Sequence, residues 1–224
     1  MTDHDFDQDL IAAAFGIAAR TGWNSVSVAA AAREAGLTLE RARARFVGRG
    51  AILIRFGRFA DEHALTGALE TGPTREKLFD LVMRRFDALQ QHRAGVLALL
   101  RDLPSEPAIA LMLAAATSTS MAWLLDASGV KTAGLKGALA TQGLVAVWLF
   151  TLRAWQKDES VDLSGTMAAL DRALARAEQA AGWLAGGPVA SAPPPGPKPF
   201  PEPPADLGTI GGTVSGGGDV PPPD

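Results

Sequence analysis

Four arginines within nine residues, Arg41, Arg43, Arg45 and Arg49, are the side chains of this chain best suited by type and spacing to do chemistry. A guanidinium stays charged at physiological pH and presents its donors as a flat fork, which suits phosphate oxygens or the edge of a guanine. From Arg33 to Arg58 seven Arg stand against Glu34 and Glu40, a net of +5, while the whole chain carries −3 and everything else therefore −8. Such a split points to an anionic partner on one side of the molecule. On a helix, positions 41 and 45 lie about 40° apart and position 43 about 160° from either, so the arginines would straddle a groove rather than form one stripe.

Catalytic alternatives are few. The chain has no Cys and no Tyr, and His4, His63 and His92 have no ligand-like spacing. Phosphate-cradling and dinucleotide-binding glycine motifs and the nucleophile elbow are missing, so we expect neither an enzyme nor a bound metal or cofactor.

The elements that must position the arginines are short. Ser27 is a suitable N-cap for a helix from Val28, Gly36 can take the left-handed conformation that ends it, and Thr38 can cap a second helix from Leu39 to about Phe46. Two short helices around a Gly-containing turn make a helix-turn-helix. Ala42 and Phe46 are its inward face, leaving Arg41, Arg43, Arg45 and Arg49 outside. An amphipathic helix over 6–20, with Phe6, Leu10, Ala14 and Ile17 on one side, supplies the third helix of this unit. Its acidic residues Asp3, Asp5, Asp7 and Asp9 suit the positive helix end, Gly22 stops it, and Trp23 plugs the small core.

Residues 22–53, GWNSVSVAAAAREAGLTLERARARFVGRGAIL, resemble the DNA-binding domain of the TetR family of bacterial transcriptional regulators. The likeness runs without a gap from Gly22-Trp23 through Ser27-Val28 and Ala35-Gly36-Leu37-Thr38 to Phe46 and Leu53. The family's recognition helix usually reads Lys-Gly-Thr-Leu-Tyr-x-His-Phe with a Lys three residues later, and the Thr, Tyr, His and Lys slots are here Arg41, Arg43, Arg45 and Arg49. Leu39 and Glu40 depart from slots that are normally basic and small. The resemblance implies a cytoplasmic, ligand-responsive repressor that contacts double-stranded operator DNA through Ser27, Thr38 and these four arginines. It also implies a homodimer built on the last two helices, with half-sites about one helical turn apart.

Beyond residue 50 the pattern is helical throughout. A linking helix is expected over 51–70 and another over 74–93, with Leu78, Leu81 or Val82, Phe86 and Leu89 inward and Arg84-Arg85 on its solvated face. Residues 107–125 are free of charge, yet four central Ser and Thr make a buried bundle helix a better reading than a membrane span, as for 137–152. Leu163, Met167, Leu170, Leu174, Ala177, Ala181 and Leu184 form a narrow seam that can close the core or meet a second copy. Phe86, Met112, Trp123, Trp148 and Phe150 are candidates to line a site for a small apolar ligand, and Trp148, Met167, Leu170 and Leu174 a dimer interface. In the final 38 residues stand 12 of 15 Pro and 8 of 24 Gly. That composition cannot build a core and predicts disorder.

The architecture expected is all-α and TetR-like: a helix-turn-helix domain over 1–50, a helical ligand-binding and dimerisation domain over 51–186, and a tail over 187–224. A second resemblance lies in residues 148–177. Asp158-x-Ser160-x-Asp162-Leu163, then Thr166-Met167 and Leu170-Asp171, is similar to the C-terminal part of the ubiquinone-biosynthesis accessory proteins. It implies an alternative, a TetR-like fold that binds lipids such as quinone precursors and not DNA.

Overall fold

The computed structural model describes residues 1–184; the expected tail over 187–224 lies outside the described residues. All regular structure among them is helical. Helix α1 (Asp3–Thr21) starts earlier than its apolar face suggests because Thr2 and Asp5 make a capping box. The Thr2 hydroxyl accepts from the Asp5 N–H at 3.1 Å and the Asp5 carboxylate accepts from the Thr2 N–H at 2.8 Å. Gly22, at φ +84°, turns the chain out of α1, and one 3₁₀ turn, Trp23–Ser25, carries the fully buried Trp23 into the core.

Ser27 caps α2 (Val28–Glu34), accepting from the Ala30 N–H at 3.1 Å. Gly36, at φ +66°, makes the turn into α3 (Leu39–Arg45), whose start at Thr38 has no side-chain cap. Helix α4 (Arg49–Leu65) stops short of the expected residue 70. Gly67, at φ +70°, turns the chain out of the helix, and the Leu69 N–H beyond it donates to the Asp80 carboxylate at 3.2 Å.

Helices α5 (Thr74–Gln90), α6 (Arg93–Asp102), α7 (Pro107–Ala127), α8 (Gly134–Lys157) and α9 (Ser164–Leu184) form the bundle. α8 packs along α9, α4 against α5 and α7, and α1 against both α2 and α6. One continuous core runs from Phe6 to Leu174. By length and composition α7 and α8 could each cross a membrane. Here each gives one face to the core, through Met121 and Leu124 on α7 and Leu144, Val147 and Trp155 on α8. α7 is not the buried central helix expected, since Leu111 is 74% and Trp123 63% exposed.

The α1–α6 crossing depends on a missing side chain. A Cβ on Gly95 would lie 2.4 Å from the Phe15 carbonyl oxygen. Gly95→Ala is therefore expected to push the helices apart and cost about 1–3 kcal/mol. Urea unfolding reads this directly, and an unchanged midpoint would mean the helices do not meet so closely.

The segment similar to the accessory proteins is a capping structure. Asp158 accepts from the Thr166 N–H at 2.6 Å and hydroxyl at 2.7 Å, and from the Ser160 N–H at 3.1 Å and hydroxyl at 2.5 Å. The Ser160 hydroxyl and the Thr166 donors hold its carboxyl down at about 2. These bonds fasten the α8–α9 turn, including Leu163 at φ +55°.

Candidate nucleic-acid interface

Helix α3 buries Ala42 and is followed by the buried Phe46, so it lies with one side on α1 and α2 and the other open. The four arginines do not all point outward. Arg41 pairs with Asp3, donates to the Thr2 carbonyl at 3.3 Å and lies over the Phe6 ring at 4.5 Å. Arg45 grips Asp7 with two donors, Nε to Oδ1 at 2.6 Å and a terminal nitrogen to Oδ2 at 2.7 Å, and meets Asp3 at 2.6 Å. Arg49 pairs with Glu106 at 2.5 Å and donates to the Asn24 carbonyl at 3.3 Å. Arg43 differs: it is exposed, and its one bond goes to the Val47 carbonyl at 3.1 Å.

Asp7 is the anchor of this arrangement. Its side chain is 2% exposed and also accepts from Arg55 Nε at 2.7 Å, so one carboxylate joins α1, α3 and α4. Burial pushes the Asp7 carboxyl up, but the hydrogen bonds from Arg45 and Arg55 outweigh it and hold the group below its ordinary value. Arg45 is raised reciprocally, above its already high value. Of the seven arginines between 33 and 58, four (Arg41, Arg45, Arg49, Arg55) have carboxylate partners and three (Arg33, Arg43, Arg58) have none among the described residues. Much of the positive charge counted in the sequence is thus neutralised within the fold.

An apolar notch of about 450 Å³ opens beside Arg43, between the starts of α2 and α4, with Ser27, Leu39 and Val47 around it. Thr38, Leu39 and Glu40 are exposed at the start of α3.

No family model matches the chain, and no curated protein matches it. Solved structures do, two TetR transcriptional regulators among them. The TetR transcriptional regulator of Nitrosomonas europaea ATCC 19718 superposes with a TM-score of 0.62 at 22% identity, over 78% of this chain and 98% of that one. A TetR transcriptional regulator from Rhodococcus sp. RHA1 gives 0.54 at 15% identity, over 79% and 97%. The chain has a TetR-like fold.

Within that TetR-like fold the five residues expected to line a ligand site do not come together. Phe86 and Trp148 stack at 4.6 Å inside the core, whereas Trp123 and Phe150 are 63% and 42% exposed. Met112 is half-buried, with its sulfur beside Gly50. A groove of about 850 Å³ lies elsewhere, between α5 and the start of α9, with Phe79, Met83 and Met167 on its apolar side and Glu76, Asp80, Asp87 and Asp171 around it. The expected dimer residues are also spent within the protomer. Trp148, Leu170 and Leu174 are buried and Met167 lines the groove, so the α9 seam closes the monomer's core. Among the large apolar side chains left exposed are Leu111 and Trp123 on α7 and Leu135, Leu139, Leu149 and Phe150 on α8.

Sequence reasoning missed one polar cluster. Arg85, expected on the solvated face of α5, is buried. It pairs with Asp61 of α4, donates to the Ser120 hydroxyl of α7 at 3.2 Å and sits 5.0 Å from the Trp148 ring centre. The Ser120 hydroxyl in turn donates to Asp61 at 2.5 Å. Burial pulls the Arg85 guanidinium down to about 10. Position 85 lies seven residues after Leu78 and four before Leu89, so its phase on the core stripe was the available signal. Among the described residues no group of three His, Asp or Glu is placed to hold a metal.

Proposed function

We propose that this chain is a cytoplasmic, TetR-type transcriptional regulator that binds double-stranded operator DNA with α3 in the major groove. The observation that carries this reading is Arg43, an exposed guanidinium without an acidic partner among the described residues, on a short helix of a TetR-like fold. Ser27 and Thr38 stand at the starts of α2 and α3, where backbone N–H groups favour phosphate. Arg41, Arg45 and Arg49 contribute less in the free protein, because each already has a carboxylate partner. Residues 1–50 serve as the DNA-binding part and 51–186 as the ligand-binding and dimerisation part.

The homodimer belonging to this reading uses the exposed apolar side chains of α7 and α8, whose burial against a second copy would be favourable. A small apolar ligand that relieves repression would enter the groove between α5 and α9 and shift α4, which packs directly on α5.

Fluorescence anisotropy on duplex DNA from the region upstream of the gene, titrated with salt, tests the proposal. Arg43→Ala is expected to weaken binding by about 1–2 kcal/mol, roughly five- to thirtyfold, and to reduce the log–log salt slope by about 1. Equal binding of operator and random duplex, insensitive to Arg43→Ala, would turn attention to apolar molecules that copurify, as the quinone-precursor alternative requires.

A further inference from the structure

The two acids that reach α3 from α1 differ in one respect. Asp7 has a side chain 2% exposed and is held by Arg45 and Arg55, whereas the Asp3 side chain is 65% exposed and its partners are Arg41 and Arg45. We propose that Arg41 is a masked binding site for a DNA backbone phosphate and that Asp3 is the anion occupying it in the free protein. The inference rests on the DNA-binding reading and adds a regulated contact to it.

A carboxylate and a phosphate present similar oxygen pairs to a guanidinium, so they compete for the same donors. Which one wins depends on what each side loses. An exposed ion pair shifts an equilibrium only a few-fold, because water replaces it at little cost. A duplex, by contrast, offers a phosphate charge about every 1.7 Å along its axis and gains by releasing counterions. Asp3 is therefore displaceable. Asp7 is not, since leaving Arg45 and Arg55 would strand a buried carboxylate. The exchange accordingly frees Arg41, while Arg45 stays fixed as a strut between α1 and α3.

The surroundings of Arg41 are compatible with this exchange. Its contact with the Phe6 ring needs no carboxylate, and Thr2 caps α1 through Asp5, not through Asp3. The Arg41 hydrogen bond holds the Asp3 carboxyl below its ordinary value, so the mask is fully ionised at neutral pH. Loss of the Asp3 charge should then tighten DNA binding without disturbing the fold.

The test compares Asp3→Asn with Asp9→Asn in the full chain. Both remove one negative charge from α1, but Asp9 is exposed and has no ion-pair partner among the described residues. Affinities are read by anisotropy on a random-sequence duplex of about 30 base pairs and on a duplex selected from a random pool, across a salt series. Asp3→Asn is expected to tighten both three- to tenfold and to steepen the salt slope by about 0.9 for each phosphate gained. Asp9→Asn should change affinity less than twofold. Adding Arg41→Ala to Asp3→Asn should cancel the gain. Equal gains for Asp3→Asn and Asp9→Asn, or a gain that survives Arg41→Ala, would overturn the mask and leave the DNA-binding reading intact. If no variant binds either duplex, the DNA-binding reading itself fails.

Discussion

Asp61→Leu is expected to destabilise the protein by about 3–5 kcal/mol, among the largest effects of any single replacement in the bundle, because it leaves the Arg85 guanidinium buried with only the Ser120 hydroxyl as a partner. The Asp61 side chain keeps 21% exposure, so some water reaches the site and the lower end of that range is expected. Chemical denaturation measures the loss. The sharper measurement is the double replacement Asp61→Leu with Arg85→Met, which removes both charges and keeps apolar volume against Trp148. It should recover most of the stability, since a well-packed apolar substitute often matches a buried ion pair. If the single and double variants were equally unstable, the charge would not be the cause. The same result would point to packing around Trp148 and Phe86.

Asp7→Ala should cost about 2–3 kcal/mol, less than a fully buried pair, because Arg45 and Arg55 are 25% and 31% exposed and regain water when the carboxylate goes. The effect has a pH signature. Folding lowers the pKa of the Asp7 carboxyl below that of an ordinary aspartate, so its contribution is complete above the ordinary value and is lost as pH falls through the lower folded value. Below both values, wild type and Asp7→Ala should converge in stability, while at neutral pH they should differ by the full amount. A constant difference down to the most acidic conditions would show that Asp7 acts through shape and not through charge. Because Asp7 positions α3 by way of Arg45, under the proposed DNA-binding role the neutral-pH variant should also lose DNA affinity before it unfolds.

How much of this could be read from the chain alone depends on the range of the interactions involved. Ser27, Gly36 and Gly22 set their helix ends through bonds a few residues long, and each behaves as its residue type suggests. The α9 seam is legible for the same reason, as a repeat within one helix. Its choice of partner was not, because a seam of Leu and Ala fits the inside of a protomer and a second copy equally well. The arginines could be found by type and spacing, yet their partners could not: Asp7 stands 38 residues before Arg45, and Glu106 stands 57 after Arg49. Asp3 and Asp7 looked sufficient as complements of a helix dipole. Their spacing of four, which aims both carboxylates at the same side of α1, was the overlooked sign. The ligand-site residues failed for a different reason. Residues 107–125 contain no charge to mark which side of α7 faces water, so nothing in the pattern tells that Trp123 lies outside.

The Phe15 ring lies 5.6 Å from that of Trp23, 4.7 Å from Phe56 on α4 and 5.4 Å from His92 at the start of α6. Asp102, at the other end of α6, accepts from the Trp23 N–H at 2.7 Å. A graft of the first 50 residues onto a foreign bundle would lose Phe56, His92, Asp102 and the glycine that admits the Phe15 carbonyl. Under the proposed DNA-binding role, chimeras meant to change the sequence bound would therefore do better to exchange side chains on the outer surface of α3 than to transplant the whole N-terminal segment as a cassette.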